Sequence, residues 1–495
     1  MHHYLAFDLG AESGRAVSGT LEGGRISLEE VHRFPNQPVF LRGALTWDFP
    51  GLMREMQTGL GKFVRRRGES PAGISCDSWG VDFGLLDREG NPLASPIHYR
   101  DKRTEGMPEQ VFSRVSKEEI YSRTGIQFMP INTLYQLEAL HSRGSLQWAA
   151  TDKFLMMADL VNHHFCGAEV VESSLASTSN LFAAKERVWA EDLIDRLGYP
   201  RSRFPEIVPS GTRIGTLDDS LVDHLGLPAD CRNTPVIASL SHDTAAAVAA
   251  IPSDPKRNWA YLSSGTWSLL GVELPEPILT QEAMRLNFTN EAGAEGTIRF
   301  LKNIMGLWIL QECRRTWETL GTVLDYSELA TLAAEAPSGS AFIDPDDPRF
   351  LPPGDMPGRI RDFCLETGQT PPKDVGSTTL CVFESLALKY RAVLESIETL
   401  TGSAVEVLHL VGGGGKNRFL NQLVADILGI PLLVGPTEAT AIGNILAQAM
   451  AMNEIGSLEE GRRMVARSFE IEVYEPSPKR DWGESYRSFK GLLAR

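Results

Sequence analysis

Residues able to hold phosphate groups follow the first hydrophobic run of the chain. The run ends in Asp8 and Gly10, and residues 12–15 read Glu-Ser-Gly-Arg. Glycines let backbone N–H groups approach a polyanion, while hydroxyl and guanidinium groups add further donors. Asp8 offers an oxygen ligand to Mg²⁺, directly or through water. The segment predicts a phosphate-binding turn, although an ordinary β-hairpin with a polar strand end accounts for the same residues.

A second candidate is the run of four glycines at 412–415. It follows a strand-like segment (405–411) and precedes one with helical periodicity (418–428). One residue with positive φ usually suffices for a turn, so four glycines favour the close approach of a flat base or of phosphates. The run does not match Gly-x-Gly-x-x-Gly, because position 417 is Asn, and the chain has no Gly-x-x-x-x-Gly-Lys-Ser/Thr loop.

A third candidate, residues 241–244, reads Ser-His-Asp-Thr and precedes a helix-like Ala/Val run (245–250). Phosphoryl transfer needs a residue that orients the attacking hydroxyl and accepts its proton. Asp243 fits this role, and His242 is an alternative base. Taken locally, however, Asp and Thr at a helix start more often serve as N-caps.

Two aromatic and polar segments are typical of sugar sites. Residues 79–83 (Trp-Gly-Val-Asp-Phe) offer a stacking face, a close backbone approach and a carboxylate that accepts hydrogen bonds from hydroxyls. Residues 99–103 (Tyr-Arg-Asp-Lys-Arg) offer donors and acceptors at a strand end. Packed aromatic side chains and a surface ion pair are the simpler interpretation of each segment alone.

The elements that must position these residues alternate between strand and helix. Strands are predicted at 4–9, 15–21 and 26–34, followed by a helix from Phe49 to Phe63 and a strand over 72–86. The second half repeats the strand–turn–strand opening at 261–263 and 267–272. This order is typical of an α/β fold.

A Pro-containing break near 248–257 divides the chain into predicted domains 1–247 and 248–495, with the last helices packing back on the first domain. The many Pro, Gly and Asp residues of 337–375 predict a long surface excursion.

Composition narrows the class of protein. The 495 residues carry 48 Lys and Arg against 64 Asp and Glu, a net charge of −16, which argues against nucleic acid or an anionic membrane as the partner. The six scattered cysteines show no zinc-ligand spacing and favour a reducing compartment. No apolar run long enough to span a membrane and no signal-peptide pattern is visible, so we expect a cytoplasmic enzyme.

Taken together, these segments resemble the FGGY carbohydrate kinases of the actin-like ATPase superfamily. The matching strings lie in the same order from residue 8 to about 445: 8–11 with 13–15, 79–83, 125–128, 132–137, 241–244, 261–268, 290–291, 301–308 and 411–414. The glycine runs are shared across the family, whereas 79–83 and 302–308 are more specific to its L-rhamnulose branch. The resemblance implies two ribonuclease-H-like domains around a central cleft, with ATP bound mainly by the second and sugar mainly by the first.

The resemblance also implies roles for individual residues. Asp243 becomes the general base, which replaces the local N-cap interpretation, and Asp8 organises Mg²⁺ through water. The implied ATP-binding residues are Ala11, Glu12, Ser13, Gly14, Arg15, Thr266, Gln311 and Gly413. The implied sugar-binding residues are Gly80, His242, Asp243, Thr244 and Asn303. Glu12 departs from the family, in which this position is often small.

The implied reaction is ATP-dependent phosphorylation of a ketose, L-rhamnulose first, at its 1-hydroxyl, in L-rhamnose catabolism. Alternatives within the family are kinases of L-fuculose, L-ribulose or L-xylulose. An actin-like ATPase without a sugar substrate would lack the 79–82 segment, and a silent sugar sensor would lack Asp8 and Asp243. ATP, Mg²⁺ and a small ketose are thus the expected ligands, in a monomer or homodimer.

Overall fold

Strands and helices follow one another along the whole computed structural model, which describes residues 2–477 and 480–494. The strands are β1 (His2–Leu9), β2 (Ser13–Glu22), β3 (Arg25–Pro35), β4 (Pro38–Leu41), β5 (Ala44–Trp47), β6 (Ile74–Ser78), β7 (Phe83–Leu86), β8 (Lys153–Met156), β9 (Val170–Glu172), β10 (Phe182–Ala183), β11 (Val188–Trp189), β12 (Glu206–Val208), β13 (Thr212–Thr216), β14 (Pro235–Ala238), β15 (Trp259–Ser264), β16 (Trp267–Leu274), β17 (Thr289–Ala292), β18 (Ile298–Met305), β19 (Val407–Val411), β20 (Leu432–Val434) and β21 (Glu472–Tyr474).

The helices are α1 (Phe49–Arg67), α2 (Met107–Phe112), α3 (Lys117–Thr124), α4 (Thr133–Ser142), α5 (Leu146–Ala150), α6 (Met157–Cys166), α7 (Ser173–Ala176), α8 (Glu191–Arg196), α9 (Asp219–His224), α10 (Asp243–Ala249), α11 (Gln281–Arg285), α12 (Trp308–Thr319), α13 (Tyr326–Glu335), α14 (Met356–Glu366), α15 (Val375–Thr401), α16 (Arg418–Leu428), α17 (Ala439–Ala451), α18 (Leu458–Ser468) and α19 (Gly483–Leu493). Among residues 2–477 and 480–494, no helix combines the length and apolarity needed to cross a membrane.

The chain forms two compact units. The first comprises the segment that ends at Pro252 together with Glu273–Phe300 and Glu438–Ser468, and the second comprises Ser253–Val272, Leu301–Thr437 and the described residues from Phe469 onward. The first break lies five residues after the predicted end at 247. The segments 273–300 and 438–468, however, pack in the first unit although they follow that boundary in sequence.

The sheet of the first unit has the strand order β13-β14-β6-β1-β2-β3. β1 pairs antiparallel with β2 and parallel with β6, so that Asp8 stands opposite Arg15 on one side and Asp77 on the other. The three strands predicted at 4–9, 15–21 and 26–34 are therefore confirmed as β1, β2 and β3. The single strand predicted over 72–86 is wrong, because the chain leaves the sheet at Ser78 and resumes as β7 at Phe83.

Helix α1 covers the predicted helical segment and buries its apolar face. Asp48 caps its first turn by accepting a hydrogen bond from the Gly51 N–H, and Met56, Leu60 and Phe63 are buried. The basic run at 65–67 forms the last turn, where positive charge is favourable because the helix dipole is negative at that end.

The segment 337–375 of the second unit is not only a surface excursion. It contains α14, with Ile360 and Phe363 buried, and Phe350 is buried just before this helix. Helix α14 also brings Cys364 to Cys381 of α15; a hydrogen bond from the Cys381 thiol lowers the pKa of Cys364, and both thiols are free. Pro and Gly composition predicted the turns of this segment and missed its helix.

Helix α17 joins the first unit through an unusually close contact with α10. A Cβ atom added at Gly443 would overlap the carbonyl oxygen of Ala246. Only a glycine at position 443 permits this approach, which lets α17 also pack on β1.

Replacing Gly443 by Ala should therefore lower the free energy of unfolding by about 1–3 kcal/mol, because the added methyl group overpacks a backbone contact. Urea denaturation followed by circular dichroism measures the change. The matched control is Gly61→Ala in α1, where the nearest atom to an added Cβ is the end of the flexible Arg65 side chain, 3.2 Å away. Equal stability of the two variants would contradict the proposed packing role of Gly443.

Candidate active site

Asp243 is the first residue of α10, and the N-cap position belongs to His242, whose side chain makes no capping hydrogen bond. The local N-cap interpretation of Asp243 is therefore wrong. The Asp243 carboxylate is 31% exposed, its Oδ1 accepts a hydrogen bond from the Thr244 hydroxyl at 3.0 Å, and His242 Nε2 lies 3.5 Å from the same oxygen. Among the described residues no donor occupies Oδ2. One oxygen is thus anchored and the other is available to a proton.

Two further carboxylates lie at the same end of the sheet. Asp8 and Asp77 are register partners on β1 and β6, with relative exposures of 7% and 0%. Burial raises the pKa of Asp77 well above its usual range, with Asp8 adding to the effect, while Asn444 donates to Asp77 Oδ2 at 2.6 Å. Burial also raises the pKa of Asp8, against the opposing charge of Arg15. Burial thus favours the protonated form of Asp77, while Asp8 has the Arg15 guanidinium as its counter-ion.

The predicted phosphate hairpin connects β1 and β2. Ala11 and Glu12 form its tip, and the Gly10 N–H donates to the Ser13 carbonyl at 2.9 Å. Gly14 lies against the Phe34 ring, which leaves no room for a larger residue. The tip therefore presents backbone groups and the Ser13 hydroxyl on a rigid strand pair.

Arg15, predicted as a phosphate donor, makes ion pairs with Asp8 and with Glu438, the residue that precedes α17. The guanidinium is buried to a large extent by these contacts. The two carboxylates engage one N–H each on Nη1 and Nη2, so a phosphate that binds Arg15 would use the remaining N–H groups of the guanidinium.

The carboxylate cluster suits a magnesium ion that keeps most of its water. Mg²⁺ is usually held by one or two carboxylates together with substrate phosphates and waters. Asp8 already carries Arg15, one Asp77 oxygen accepts from Asn444 and the other has no hydrogen-bond partner. Among the described residues no group of three His, Cys, Asp or Glu side chains forms a closed metal cage. The donor set fits Mg²⁺ bound through water at Asp8.

The loop between β6 and β7 is anchored by Asp82. Its Oδ2 accepts hydrogen bonds from Trp47 Nε1 (2.7 Å), Trp79 Nε1 (3.0 Å) and the Tyr99 N–H (3.2 Å), and its Oδ1 accepts from Gln136 Nε2 (3.0 Å). Burial raises the pKa of Asp82 to about 6 against these donors. The carboxylate expected to receive sugar hydroxyls is instead saturated by the protein.

The same loop holds a strained residue. Val81 has φ 68°, a conformation that β-branched residues rarely adopt. Its N–H donates to Thr178 Oγ1 at 3.1 Å, and its carbonyl accepts from Thr133 Oγ1 at 2.7 Å and from Gln136. These bonds fix the backbone of the neighbouring Gly80, which is half-buried.

The aromatic residues around the loop pack against one another. The Trp47 ring centroid lies 4.1 Å from that of Trp79 and 4.2 Å from that of His98, and the His98 and Tyr99 centroids are 4.5 Å apart. Arg103 is buried and donates to Gln136. For Trp79 and Tyr99 the packed-aromatic interpretation is therefore correct.

The second unit carries the other predicted ligand residues. Gln311 Nε2 lies 3.4 Å from Thr266 Oγ1, and the Trp308 N–H donates to the Thr266 carbonyl, so the start of α12 is tied to the β15–β16 turn. Asn303 is half-buried on β18. The structure thus brings together Thr266 and Gln311, the two predicted nucleotide contacts of this turn.

Three of the four consecutive glycines are explained by protein packing. Gly412 has φ 90° and a Cβ there would lie 2.7 Å from the Ser264 carbonyl oxygen, while a Cβ at Gly414 would overlap the Ser264 hydroxyl. A Cβ at Gly415 would lie 2.8 Å from Val434. Only Gly413 has open space beside it. The prediction that a ligand requires all four glycines is therefore wrong. Only Gly413 remains available for close approach of a ligand.

Sequence reasoning assigned no role to Glu291 and Arg299, which both contact His242. Glu291 belongs to one of the strings that carried the family resemblance, but Arg299 lies in a hydrophobic strand pattern without any motif. Only the pairing of distant segments could have identified it.

Family models match both parts of the chain. Residues 3–249 match the N-terminal domain and residues 260–452 the C-terminal domain of the FGGY family of carbohydrate kinases. The chain belongs to this family. This FGGY carbohydrate kinase is 44% identical to a rhamnulokinase of Bacteroides thetaiotaomicron, with 99% of each chain covered. It is 41% identical to a rhamnulokinase of Oceanobacillus iheyensis, with 95% of this chain and 97% of the relative covered.

Solved structures of other kinases share the fold. A xylulose kinase from Rhodospirillum rubrum superimposes with a TM-score of 0.79 at 18% identity, covering 100% of this chain and 98% of that chain. The Plasmodium falciparum glycerol kinase with ADP gives a TM-score of 0.76 at 15% identity, covering 100% and 97%. The expected two-part α/β kinase fold is confirmed.

The pKa of Asp82 has a measurable consequence for stability. Burial raises it from 3.8 to about 6, so between about pH 4 and pH 6 the native state binds a proton that the unfolded chain has released. The free energy of unfolding therefore falls as pH rises through this window, by about 3 kcal/mol relative to Asp82→Asn, which cannot titrate. Urea denaturation at several pH values measures the difference. The exposed carboxylate variant Glu89→Gln is the control, and a pH-independent difference for Asp82→Asn would contradict the assignment.

Proposed function

We propose that this FGGY carbohydrate kinase transfers the γ-phosphoryl group of ATP to the 1-hydroxyl of L-rhamnulose, giving L-rhamnulose 1-phosphate and ADP. The observation that supports the substrate is the name rhamnulokinase, which relatives bear at 44% and 41% identity over nearly the whole chain. The observation that supports the chemistry is the Asp243 carboxylate, anchored at Oδ1 and open at Oδ2.

In this reaction Asp243 is the general base. The sugar oxygen forms a bond to the γ-phosphorus, the bond from that phosphorus to the bridging oxygen of ADP breaks, and the hydroxyl proton passes to Asp243 Oδ2. Phosphoryl transfer asks little covalent chemistry of the protein, so orienting the hydroxyl and accepting its proton are the main contributions of this side chain. The Thr244 hydroxyl and His242 hold the carboxylate in place for that step.

The remaining predicted ligand residues receive complementary roles. Gly80, Thr244 and Asn303 line the ketose together with the ring of His242, and the hairpin at 11–15 binds phosphate with backbone and side-chain donors. Thr266, Gln311 and Gly413 contact the nucleotide. Mg²⁺, held through water at Asp8, would neutralise charge on the phosphate oxygens when bound.

The single open position in the glycine run allows a matched test of nucleotide binding. Gly413→Ala should leave the thermal unfolding midpoint nearly unchanged, because among the described residues no atom beyond its chain neighbours and its own helical turn lies within 4 Å of the added Cβ. The same variant should raise the KM for ATP about tenfold. Gly414→Ala should instead destabilise the protein by about 1–3 kcal/mol, since its methyl group meets Ser264. An unchanged KM in Gly413→Ala would remove this residue from the proposed nucleotide site.

The decisive assay measures ADP release with Mg²⁺ and ATP, without sugar and with L-rhamnulose, L-fuculose, L-ribulose or L-xylulose. We expect L-rhamnulose to give the highest kcat/KM by at least about tenfold, equivalent to about 1.4 kcal/mol.

Asp243→Asn should lower kcat about a hundredfold or more while ATP still binds. Asp219→Asn is the control, because Asp219 is likewise the first residue of a helix, α9, but is exposed. Near-normal turnover of Asp243→Asn would refute the role of Asp243 as general base. In the ketose panel, equal turnover of another ketose would contradict the assignment of L-rhamnulose as the substrate.

A further inference from the structure

The buried ion pair Arg299–Glu291 contacts Nδ1 of His242, the ring nitrogen that is farther from Asp243. Arg299 on β18 is completely buried and Glu291 on β17 is 4% exposed. Arg299 Nη2 lies 3.0 Å from Glu291 Oε2 and 3.0 Å from His242 Nδ1, and Glu291 Oε2 lies 3.3 Å from the same ring nitrogen. All four residues belong to the first unit. Glu291, Arg299, His242 and Asp243 therefore form a continuous polar chain.

This geometry decides which ring nitrogen of His242 carries the proton. Arg is only a donor, and its Nη2 group makes a hydrogen bond of 3.0 Å with His242 Nδ1, whereas its contact with Glu291 Oε2 is an ion pair without hydrogen-bond geometry. His242 Nδ1 must then accept, and the proton of the neutral ring lies on Nε2. A proton on Nδ1 would instead point at the hydrogens of Arg299. His242 Nε2 lies 3.5 Å from Asp243 Oδ1, at the outer limit of hydrogen-bond distance.

The charges in the chain agree with this arrangement. Burial acts to raise the pKa of Glu291, but the opposing charge of Arg299 is foremost among the effects that leave this pKa below its usual value. Glu291 is thus ionised and neutralises Arg299. The pair can orient the ring without placing a net charge beside the catalytic carboxylate. The backbone of His242 is held separately, because its N–H donates to Ser174 Oγ at 3.0 Å.

We propose that Arg299, balanced by Glu291, is a positioning residue of the kinase reaction: it holds His242 in the Nε2–H tautomer, so that this ring nitrogen donates to Asp243 and orients the base toward the sugar hydroxyl. The inference rests on the proposed role of Asp243. Because Arg299 is completely buried, it acts through the ring and not by touching a substrate. Tautomer control of this kind is a general way in which a buried group sets the orientation of a catalytic histidine.

The first test removes the pair without leaving a buried charge. In the double variant Glu291→Leu with Arg299→Met, apolar side chains replace both ions, an exchange that buried pairs often tolerate. We expect kcat to fall about tenfold to a hundredfold with the KM values for ATP and ketose changed less than threefold. The control is Glu138→Gln with Arg114→Met, which removes another ion pair of the first unit and should leave kcat within twofold. A normal kcat in the first variant overturns the proposal.

The second test asks whether Arg299 acts through His242. In a His242→Gln background, the pair substitution should have no further effect on kcat, because the group it positions is gone. A further loss as large as in the wild-type background would show that the pair contributes only to general stability and would overturn the proposal. The single variant Arg299→Lys, which keeps a buried donor and the charge, should recover part of the turnover.

The third test does not depend on activity. A long-range ¹H–¹⁵N spectrum of the wild-type protein, with the His242 signals identified by their loss in His242→Gln, should show Nε2 protonated and Nδ1 unprotonated. A protonated Nδ1 overturns the proposal whatever the turnover. If Nδ1 is unprotonated but Asp243→Asn retains normal turnover, the ring assignment stands; the proposed base and, with it, the positioning role are refuted.

Discussion

Carboxylates removed from water must each find a donor, and the first unit is organised around that requirement. An ionised carboxylate without a partner is among the most costly groups to bury. Asp8 is paired with Arg15, Asp77 with Asn444, and Asp82 with the indole N–H groups of two tryptophans. Asp243, by contrast, keeps one oxygen open and partial exposure. Donors are thus concentrated on the buried carboxylates, and Asp243 is the carboxylate among these four that stays partly accessible.

The residues that pair with the buried polar groups of the first unit come from segments far apart in sequence. Asn444 and Glu438 belong to the last segment of the first unit, whereas Arg299 and Glu291 belong to the middle one. The last segment enters the unit through a backbone contact that leaves little choice of position, the approach of α17 to α10 at Gly443. Secondary structure brings the helices and strands close, and the polar pairs then fix their register. The same contacts therefore serve both stability and the geometry of the site.

Local pattern explains what the sequence could predict. The strands β1 to β3, the helix α1 and the chemical character of residues 241–244 follow from alternation, periodicity and residue type within a few positions. Three expectations were wrong because long-range packing decided the outcome. Ser264 and Val434 occupy the space beside three of the four glycines, and two tryptophans donate to Asp82. Helix α14 lies within a segment whose composition predicted turns. No sequence motif marks Arg299, because its role depends on contact with His242, which lies 57 residues away.

Because the first unit is discontinuous in sequence, it cannot complete its folding early in synthesis on the ribosome. Its last segment begins at Glu438, nearly two hundred residues after the first segment ends at Pro252. At about 5–20 residues per second, synthesis takes roughly 10–40 s to bridge that interval. During this time Asp77 lacks Asn444 and the face of α10 that meets Gly443 is uncovered. The first unit therefore stays incomplete, with this face of α10 exposed, until α17 has been synthesised.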